Sequence, residues 1–317
     1  MKENNISPLV AVHCLVYNHE PYLRECFEGF VMQQTNFAYV VVVHDDASTD
    51  NSVAIIREYE ERYPQIFKPI YEKENQYSIG RYWVIEEIMR GTIKNLGVKY
   101  VAMCEGDDYW IDPLKLQKQV DFMESNPNYS LCFTNAIIRF NNSEAITINH
   151  IWDTYTIEDV ITNNALNVSK RGDRIVTCGH TSTVLYRSSS LPLPRWTTMC
   201  FVGDEPLFIA LAQYGKVKFL NEITSVYRDG VGVSSKGYNE EDYWKNRIDM
   251  YKVMNEGMGY KYNAIIKPII AETYLTLSKL VWKKGIKKDT IVYLFKVLLT
   301  NPKILIKWVV TKNILIS

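Results

Sequence analysis

Short apolar runs alternate with amphipathic segments through about the first hundred residues of this chain. The runs at 9–16 (LVAVHCLV) and 39–44 (YVVVVH) are continuous, as buried parallel strands are. Between them, residues 21–34 repeat apolar side chains at every fourth position, which predicts a helix. The other elements predicted here are helices at 48–64 and 82–90 and strands at 66–71 and 99–104. This alternation predicts an α/β fold, an open sheet with helices on both faces that binds ligands beyond the carboxyl ends of its strands.

After the fourth strand the sequence predicts a less regular series of elements. We expect Asp112 to cap a helix that begins at Pro113, and Thr156 to open another helix through a capping box. A further helix at 203–215 is expected to end at Gly215. The remaining predictions are strands at 129–140 and 181–187, an irregular segment at 163–180, and helices alone from about 239 onward.

Composition excludes several classes of function. The chain has 36 Lys and Arg against 36 Asp and Glu, so it offers no general positive field for nucleic acid. None of its six cysteines forms a C-x-x-C pair, which argues against a zinc site and for buried thiols in a reducing compartment. No apolar run reaches the roughly 18 residues of a membrane span, and the polar start lacks the apolar core of a signal peptide. We therefore expect a cytoplasmic protein without a nucleic-acid partner.

Two clusters of acids directly follow predicted strands. Asp45 and Asp46 come after the second strand, and Glu105, Asp107 and Asp108 come after the fourth. Mg²⁺ and Mn²⁺ prefer oxygen ligands and often bind through one or two carboxylates together with substrate phosphates. The alternative is that both clusters are solvated acidic turns that cap the helices after them. Their position at strand ends favours the metal interpretation.

Three segments, in this order, resemble the family 2 glycosyltransferases of the GT-A fold. They are VAVHCLVYNHEPYLRECFEGFVMQQ, VVVHDDASTDNS and YVAMCEGDDYWIDPLKLQKQVDFME, and the resemblance extends over about 8–230. It implies a mixed, mainly parallel, Rossmann-like sheet flanked by helices in a catalytic domain at 1–235. The donor half would occupy about 8–112 and the acceptor half about 113–235, with a helical region at 236–317. Relatives of this kind usually assemble bacterial surface polysaccharides.

The resemblance implies roles for four residues in binding the nucleotide sugar. Tyr17 matches the residue that packs on the donor base. Asp45 matches the acid that accepts a hydrogen bond from the uracil imide, with Asp46 beside it. Arg81 matches a basic residue near the base or the diphosphate.

The family's D-x-D motif corresponds to Glu105, Gly106 and Asp107. The resemblance implies that Asp107 or Asp108 holds Mn²⁺ or Mg²⁺. Glu105 would face the ribose or a water of the metal, and Gly106 would lie against the donor. Because Glu105 replaces the usual first Asp, direct coordination by its longer side chain stays open.

The resemblance also implies candidates for catalysis and for binding of the acceptor. The family's general base is an Asp at the start of a helix, which makes Asp204 the first candidate here and Glu205 the second; the alternative is that Asp204 only caps its helix. One base on one face of the sugar implies inversion of the anomeric centre, as in inverting glycosidases.

His180 and Arg228 are weaker candidates for contacts with the acceptor or the phosphates. Processive members carry Q-x-x-R-W, but Pro192 occupies the Gln position here, so we expect transfer of one sugar per encounter.

The segment 289–310 (DTIVYLFKVLLTNPKILIKWVV) is apolar, with interspersed lysines and a break at Asn301–Pro302. One interpretation is a pair of helices that lie on an anionic membrane. The alternative is a helical pair packed on the catalytic domain, or a contact in a homodimer.

The expected function is therefore metal-dependent transfer of a sugar from a nucleotide sugar, with UDP as the expected nucleotide, to a glycan or lipid-linked saccharide. Two rivals remain. A nucleotidyltransferase also combines an α/β sheet, acids and a metal, but it usually carries a Gly-rich basic loop where this chain has VYNHEPYL. A catalytically silent nucleotide-sugar-binding protein would retain the same donor motifs.

Overall fold

The computed structural model describes residues 7–140, 143–147, 153–169, 179–231 and 239–314. The chain divides into two compact units. A sheet unit contains 1–193 and 207–236, and a helical unit contains 194–206 and 237–317.

The sheet unit contains one mixed sheet in the order β3-β2-β1-β4-β9-β6-β10-β5, with β7 paired to β6 and β8 paired to β10. Strands β1 to β4 run parallel, and so do β6 and β10, whereas β9 runs antiparallel to both of its neighbours. This arrangement confirms the predicted mixed, mainly parallel sheet. The strands are β1 Val10–Val16, β2 Tyr39–Asp45, β3 Phe67–Tyr71, β4 Tyr100–Met103, β5 Tyr109–Trp110, β6 Tyr129–Phe140, β7 Ser143–Thr147, β8 Thr154–Tyr155, β9 Val184–Arg187 and β10 Lys216–Asp229.

Several helices pack apolar side chains on this sheet. Helix α1, Glu20–Val31, buries Leu23, Cys26, Phe27 and Phe30 in one apolar core with alternate residues of β1. The helices are α1 Glu20–Val31, α2 Ser52–Arg62, α3 Tyr82–Asn95, α4 Lys115–Ser125, α5 Ile157–Ser169 and α6 Asp204–Ala212. Of these, α6 begins in the helical unit and continues in the sheet unit.

The strand register decides where the acids lie. Strand β1 lies between β2 and β4, with Val16 opposite Asp45 and His13 opposite Met103. The carboxyl ends of the three parallel strands therefore meet at one edge of the sheet, the edge at which such sheets bind ligands.

Two predicted helix boundaries are wrong. Helix α4 begins at Lys115 rather than Pro113, because Asp112 accepts the N–H of Leu114 and the carbonyl of Pro113 accepts the N–H of Gln34, which holds a turn before the helix. The helix at 203–215 ends at Ala212. Gly215 instead packs against the start of β6, where an added Cβ would lie 2.7 Å from the carbonyl oxygen of Asn128.

The predicted irregular segment 163–180 is also wrong in part, because α5 continues to Ser169 from the capping box that Thr156 and Asp159 form as predicted; 170–178 lie outside the described residues. The strand expected at 181–187 begins with a 3₁₀ turn and becomes extended at Val184. The 14-residue strand β10 was not predicted, since polar residues interrupt its alternation.

The helical unit consists of α7 Glu240–Gly257, α8 Asn263–Lys283, α9 Lys287–Thr300 and α10 Pro302–Ile314, as predicted for the chain beyond 239. The side chain of Asn239 caps α7 by accepting the N–H of Glu241. At the other end of α7, Gly257 packs on Trp196 so closely that an added Cβ would lie 2.2 Å from the ring. Among the described helices, none has the length and apolar character needed to cross a bilayer.

Candidate active site

Asn18 ties together the two loops that come after β1 and β2. Its side-chain oxygen accepts the N–H of Thr49 at 2.7 Å and that of Asp50 at 3.3 Å, and its own N–H donates to Ser48 Oγ at 2.9 Å. Asn18 and Ala47 both take the left-handed conformation, with φ of 56° and 59°. Such residues cost free energy unless their surroundings hold them, and they concentrate at functional sites. The cross-link fixes the loop that carries Tyr17 and His19.

Asp45 and Asp46 end β2 with different surroundings. Asp46 accepts the N–H of Gln76 at 2.7 Å and that of Tyr77 at 3.0 Å, one on each carboxylate oxygen. Asp45 accepts the N–H of Ser48 through Oδ2. Its Oδ1 is buried and has no hydrogen-bond partner among the residues that the structure describes; we call this atom the open oxygen of Asp45. Burial raises the pKa of Asp45 above its ordinary value.

The second acid cluster lies directly against the loop after β1. The N–H of Gly106 donates to Leu15 O at 2.9 Å, and a Cβ at Gly106 would lie 2.8 Å from His19 Nδ1. This close approach needs glycine and places Asp107 Oδ2 3.8 Å from His19 Nε2. Asp107 is buried, while Glu105 is half-buried.

Arg228, near the end of β10, clamps the same cluster. Its N–H donates to Asp108 Oδ1 at 2.9 Å, and its guanidinium donates to the carbonyl of Asp107 and to the carboxylate of Glu25. The guanidinium also lies over the rings of Tyr22 and Tyr109, 5.0 Å and 4.4 Å from their centroids. Arg228 thus holds the backbone of Asp107 and the carboxylate of Asp108 while it stays inside the protein.

Burial and neighbouring charges shift the pKa values of Asp108 and His19 in the second acid cluster. Burial, and then the neighbouring Asp107, raise the pKa of Asp108 well above its ordinary value. Burial lowers the pKa of His19, although Asp107, Asp50 and Asp45 oppose that effect, so His19 is a weak source of positive charge. Acids of both clusters, Asp107 and Asp45, therefore act on the same histidine.

These residues fit a hard divalent cation. Across the described ranges, no three His, Cys, Asp or Glu side chains converge to form a complete ligand set by themselves. Two adjacent buried carboxylates, those of Asp107 and Asp108, are nevertheless the donor set that Mg²⁺ and Mn²⁺ take when substrate phosphates complete the shell.

The other predicted residues of the sheet unit differ in their exposure and in their contacts. Tyr17 is half-buried at the end of β1. Arg81 is exposed, and its N–H donates to the carbonyl of Gln76, which belongs to the loop held by Asp46. His180 stacks on Tyr227, the neighbour of Arg228, with 3.9 Å between ring centroids.

In the helical unit, Asp204 and Glu205 again differ. Glu205 is buried and forms a bidentate ion pair with Arg247, at 2.9 and 3.2 Å, and it accepts the hydroxyl hydrogen of Tyr251 at 2.5 Å. Asp204 is exposed at the first position of α6, where its Oδ1 accepts the N–H of Glu205.

Sequence reasoning missed the residues that support the acids. His19 comes directly after a strand that ends at the ligand-binding edge, and this placement was the available signal. Glu25, Tyr22 and Arg247 gave no such signal, because each acts on a residue distant in the sequence.

The geometry agrees with the family relationship. The sequence model described as Glycosyl transferase family 2 matches residues 12–190, more than half of the chain. The chain belongs to glycosyl transferase family 2. The matched region contains most of β1, all of β2 to β4 and both acid clusters of the sheet unit, and this confirms the family predicted from the sequence.

Relatives of this family 2 chain match it over part of its length. An uncharacterised protein of Mycobacterium tuberculosis is 42% identical over 124 residues, which cover 39% of this chain and 34% of the relative. Two Bacillus subtilis proteins are named as glycosyltransferases: EpsE, 28% identical over 42% of this chain and 45% of its own, and the teichuronic acid biosynthesis protein TuaG, 29% identical over 38% and 43%. The chain thus spans less than half the length of these curated relatives.

Solved structures confirm the fold. S. aureus TarS in complex with UDP-GlcNAc has a TM-score of 0.60 at 15% identity, covering 92% of this chain and 81% of that one. The same protein with UDP gives 0.54 at 16% identity, covering 83% and 70%.

Proposed function

We propose that this chain is a divalent-metal-dependent, inverting glycosyltransferase that transfers one sugar from a UDP-sugar to a hydroxyl group of a glycan or lipid-linked saccharide. The observation that carries the proposal is the edge of the sheet where β1, β2 and β4 end. There, Asp107 lies 3.8 Å from His19, Asp108 is buried beside Asp107 in the chain, and Asp45 presents its open oxygen at the end of the neighbouring strand.

The donor base would lie over the loop after β2. The open oxygen of Asp45 is a buried acceptor that lacks a donor within the described residues, and an imide N–H of uracil supplies one. Tyr17 offers an aromatic face at the end of the adjacent strand. The TarS structures with UDP and UDP-GlcNAc support a UDP-linked donor for this chain.

Asp107 and Asp108 are the residues that would hold the metal. A bound divalent cation would neutralise the diphosphate and so make it a better leaving group. The chain's own part is to keep the two carboxylates in position: Arg228 holds the backbone of Asp107 and the carboxylate of Asp108, and Gly106 lets the loop approach His19. Glu105, which is half-buried beside them, remains a proposed contact of the donor.

Asp204 is the better of the two candidates for the general base. The carboxylate of Glu205 is engaged by Arg247 and Tyr251, so a proton transfer to it would disrupt a buried ion pair. Asp204 is exposed and free of such a pair with any described residue. In the proposed step, Asp204 accepts the proton of the acceptor hydroxyl as its oxygen bonds to the anomeric carbon and the bond to the diphosphate breaks. A single displacement of this kind inverts the anomeric centre.

The names of the relatives support a saccharide acceptor. TuaG is named for teichuronic acid biosynthesis, and the chain resembles it over 38% of its length. We therefore propose that the acceptor is a growing surface polysaccharide or its lipid-linked precursor. We also propose that His180 borders the acceptor or phosphate side of the site and that Arg81 lies near the base or the diphosphate of the donor.

The test is the release of UDP from a panel of UDP-sugars in the presence of an oligosaccharide acceptor, with Mn²⁺ and then with EDTA. We expect metal-dependent release that Asp204→Asn lowers by about two to four orders of magnitude, the range for loss of a general base. Calorimetric titration should show that the same variant still binds UDP. Loss of UDP binding in Asp204→Asn would contradict the assignment of a base.

A second variant distinguishes the roles of Asp204 and Glu205, the first two residues of α6. Glu205→Gln should lower thermal stability, because it leaves Arg247 buried without its partner carboxylate, whereas Asp204→Asn should not. UDP binding without UDP release under any condition would favour a silent nucleotide-sugar-binding protein. Failure of wild-type protein to bind UDP with Mn²⁺ would overturn the UDP-sugar proposal.

A further inference from the structure

The last two described helices expose a large apolar surface. Of the 20 large apolar side chains that are exposed in the described part of the chain, ten lie between Trp282 and Val310. Eight of these ten form what we call the C-terminal apolar surface: Ile291, Val292, Phe295, Leu298 and Leu299 of α9, and Ile306, Val309 and Val310 of α10.

These side chains share one face on each helix. At 100° per residue, the five positions of α9 fall within an arc of about 120°, which is the width of an apolar face that normally packs on a protein core. The opposite side of α9 already packs inside the helical unit, where Thr290 and Val297 are buried. Leu299 and Ile291, by contrast, are 69% and 68% exposed. The exposed face therefore needs a partner outside the helical unit.

Lysines surround this surface. Residues 282–314 contain eight lysines and a single acid, Asp289, in a chain that has equal numbers of basic and acidic residues overall. On α9, Lys287 and Lys296 flank the apolar arc on either side. Lys303 and Lys307 lie beside Ile306 on α10 and are exposed. An apolar centre with a basic rim matches the acyl and headgroup layers of an anionic bilayer.

We infer that α9 and α10 dock on an anionic lipid surface, with the C-terminal apolar surface inserted at the level of the acyl boundary and the lysines at the headgroups. Charge distinguishes this occupant from a second copy of the chain. Two copies joined through this surface would bring two lysine-rich rims together without acids to match them. Such docking would hold the enzyme at the interface without a membrane span.

The test is co-sedimentation of the full chain with vesicles of phosphatidylcholine alone or mixed with phosphatidylglycerol. We expect binding to the anionic vesicles that weakens with salt. Phe295→Ser/Leu299→Ser should weaken it by at least about 100-fold, since both side chains lose their burial in the acyl region. Lys287→Gln/Lys303→Gln should weaken it roughly 10- to 30-fold, at about five-fold for each lysine near the surface.

Two matched variants control for the loss of apolar area and of charge. Tyr214→Ser/Ile223→Ser removes exposed apolar side chains from the sheet unit, and Lys94→Gln/Lys267→Gln removes two exposed lysines elsewhere; both should bind vesicles like the wild type. All variants change exposed positions, and circular dichroism checks that each is folded.

Failure of the wild type to bind anionic vesicles, or unchanged binding by Phe295→Ser/Leu299→Ser, would overturn the inference. A wild-type dimer in sedimentation equilibrium that this variant converts to monomer, without vesicle binding, would assign the surface to a second copy instead. The assay does not involve UDP, so its outcome is independent of the proposed transferase function.

Discussion

The pairs Asp45–Asp46 and Asp107–Asp108 look alike in the sequence, but the protein surrounds them differently. Each pair comes after a buried parallel strand at the same edge of the sheet. Asp46 is stabilised by two backbone N–H groups, one on each oxygen. In the second pair the pKa of Asp108 is raised by burial and by Asp107. The protein completes the first pair largely by itself, whereas the cation that we propose would complete the second pair.

In the pairs Asp45–Asp46 and Asp204–Glu205, one carboxylate is engaged by other parts of the structure and its neighbour is not. Asp46 holds the loop at 76–77 while Asp45 keeps its open oxygen. Glu205 is engaged by Arg247 while Asp204 is exposed. A motif of two acids therefore does not show which acid is functional, and substitution of the individual acids tests these divisions.

Among substitutions in the two acid pairs of the sheet unit, Asp107→Asn should have the largest effect on UDP release. Loss of this charge should lower metal-dependent UDP release by about 10²- to 10³-fold, the magnitude typical of losing one electrostatic contact to the transition state. Calorimetry should show that Mn²⁺ no longer strengthens UDP binding. Asp121→Asn, which changes an exposed acid on α4, is the control and should be neutral. Retention of metal-dependent binding in Asp107→Asn would show that the second pair does not hold the cation.

Substitution of Asp46 should lower stability, whereas substitution of the neighbouring Asp45 should weaken UDP binding. Asp46→Ala leaves two backbone N–H groups without their carboxylate and should lower the free energy of unfolding by about 2–3 kcal/mol in urea denaturation. Asp45→Asn keeps an acceptor for Ser48 and removes a buried charge, so stability should hold or rise while UDP binding weakens about ten-fold. Equal stability losses in both variants would contradict the division of roles.

Arg228→Lys tests whether the second pair depends on its clamp. A lysine cannot reproduce the planar guanidinium that reaches both the carbonyl of Asp107 and the carboxylate of Glu25. Mn²⁺-dependent UDP binding should weaken about 10- to 100-fold, as for loss of an outer partner of a metal ligand. Arg24→Lys is the matched control, because Arg24 makes a bidentate but exposed pair with Glu58. Equal effects of the two variants would argue against a positioning role.

The smallest expected effect is a difference in pH dependence. The pKa of Asp108 is raised in the folded protein, so the folded state binds the carboxyl proton more tightly than the unfolded state does. The difference begins to matter when the pH exceeds 3.8, the ordinary pKa of this carboxyl group. In EDTA, the free energy of unfolding of the wild type should therefore fall relative to Asp108→Asn as the pH rises above about 4. Denaturation of both proteins across this range, with Asp121→Asn as a charge control, measures the difference. If the free energy of unfolding of the wild type did not fall relative to that of Asp108→Asn as the pH rises, the raised pKa would be contradicted.

The sequence determined the elements of the donor half. The continuous runs at 9–16 and 39–44, and the four-residue spacing of Leu23 and Phe27, specify strand or helix locally. Parallel strands place the residues at their carboxyl ends along one edge of the sheet, so the location of both acid clusters was predictable. The family motifs added the assignment to family 2, which the match to residues 12–190 confirms.

The tertiary structure decided how the acids are supported. Strand β9 inserts antiparallel between β4 and β6, and the irregular register of β10 carries Arg228 to acids that lie about 120 residues earlier in the chain. Which of Asp45 and Asp46 keeps an open oxygen depends on backbone N–H groups 30 residues away. Side-chain periodicity encodes the type of an element and its buried face, because these depend on near neighbours. Strand pairing and the partners of a buried charge depend on contacts between distant segments, which form only when the chain folds.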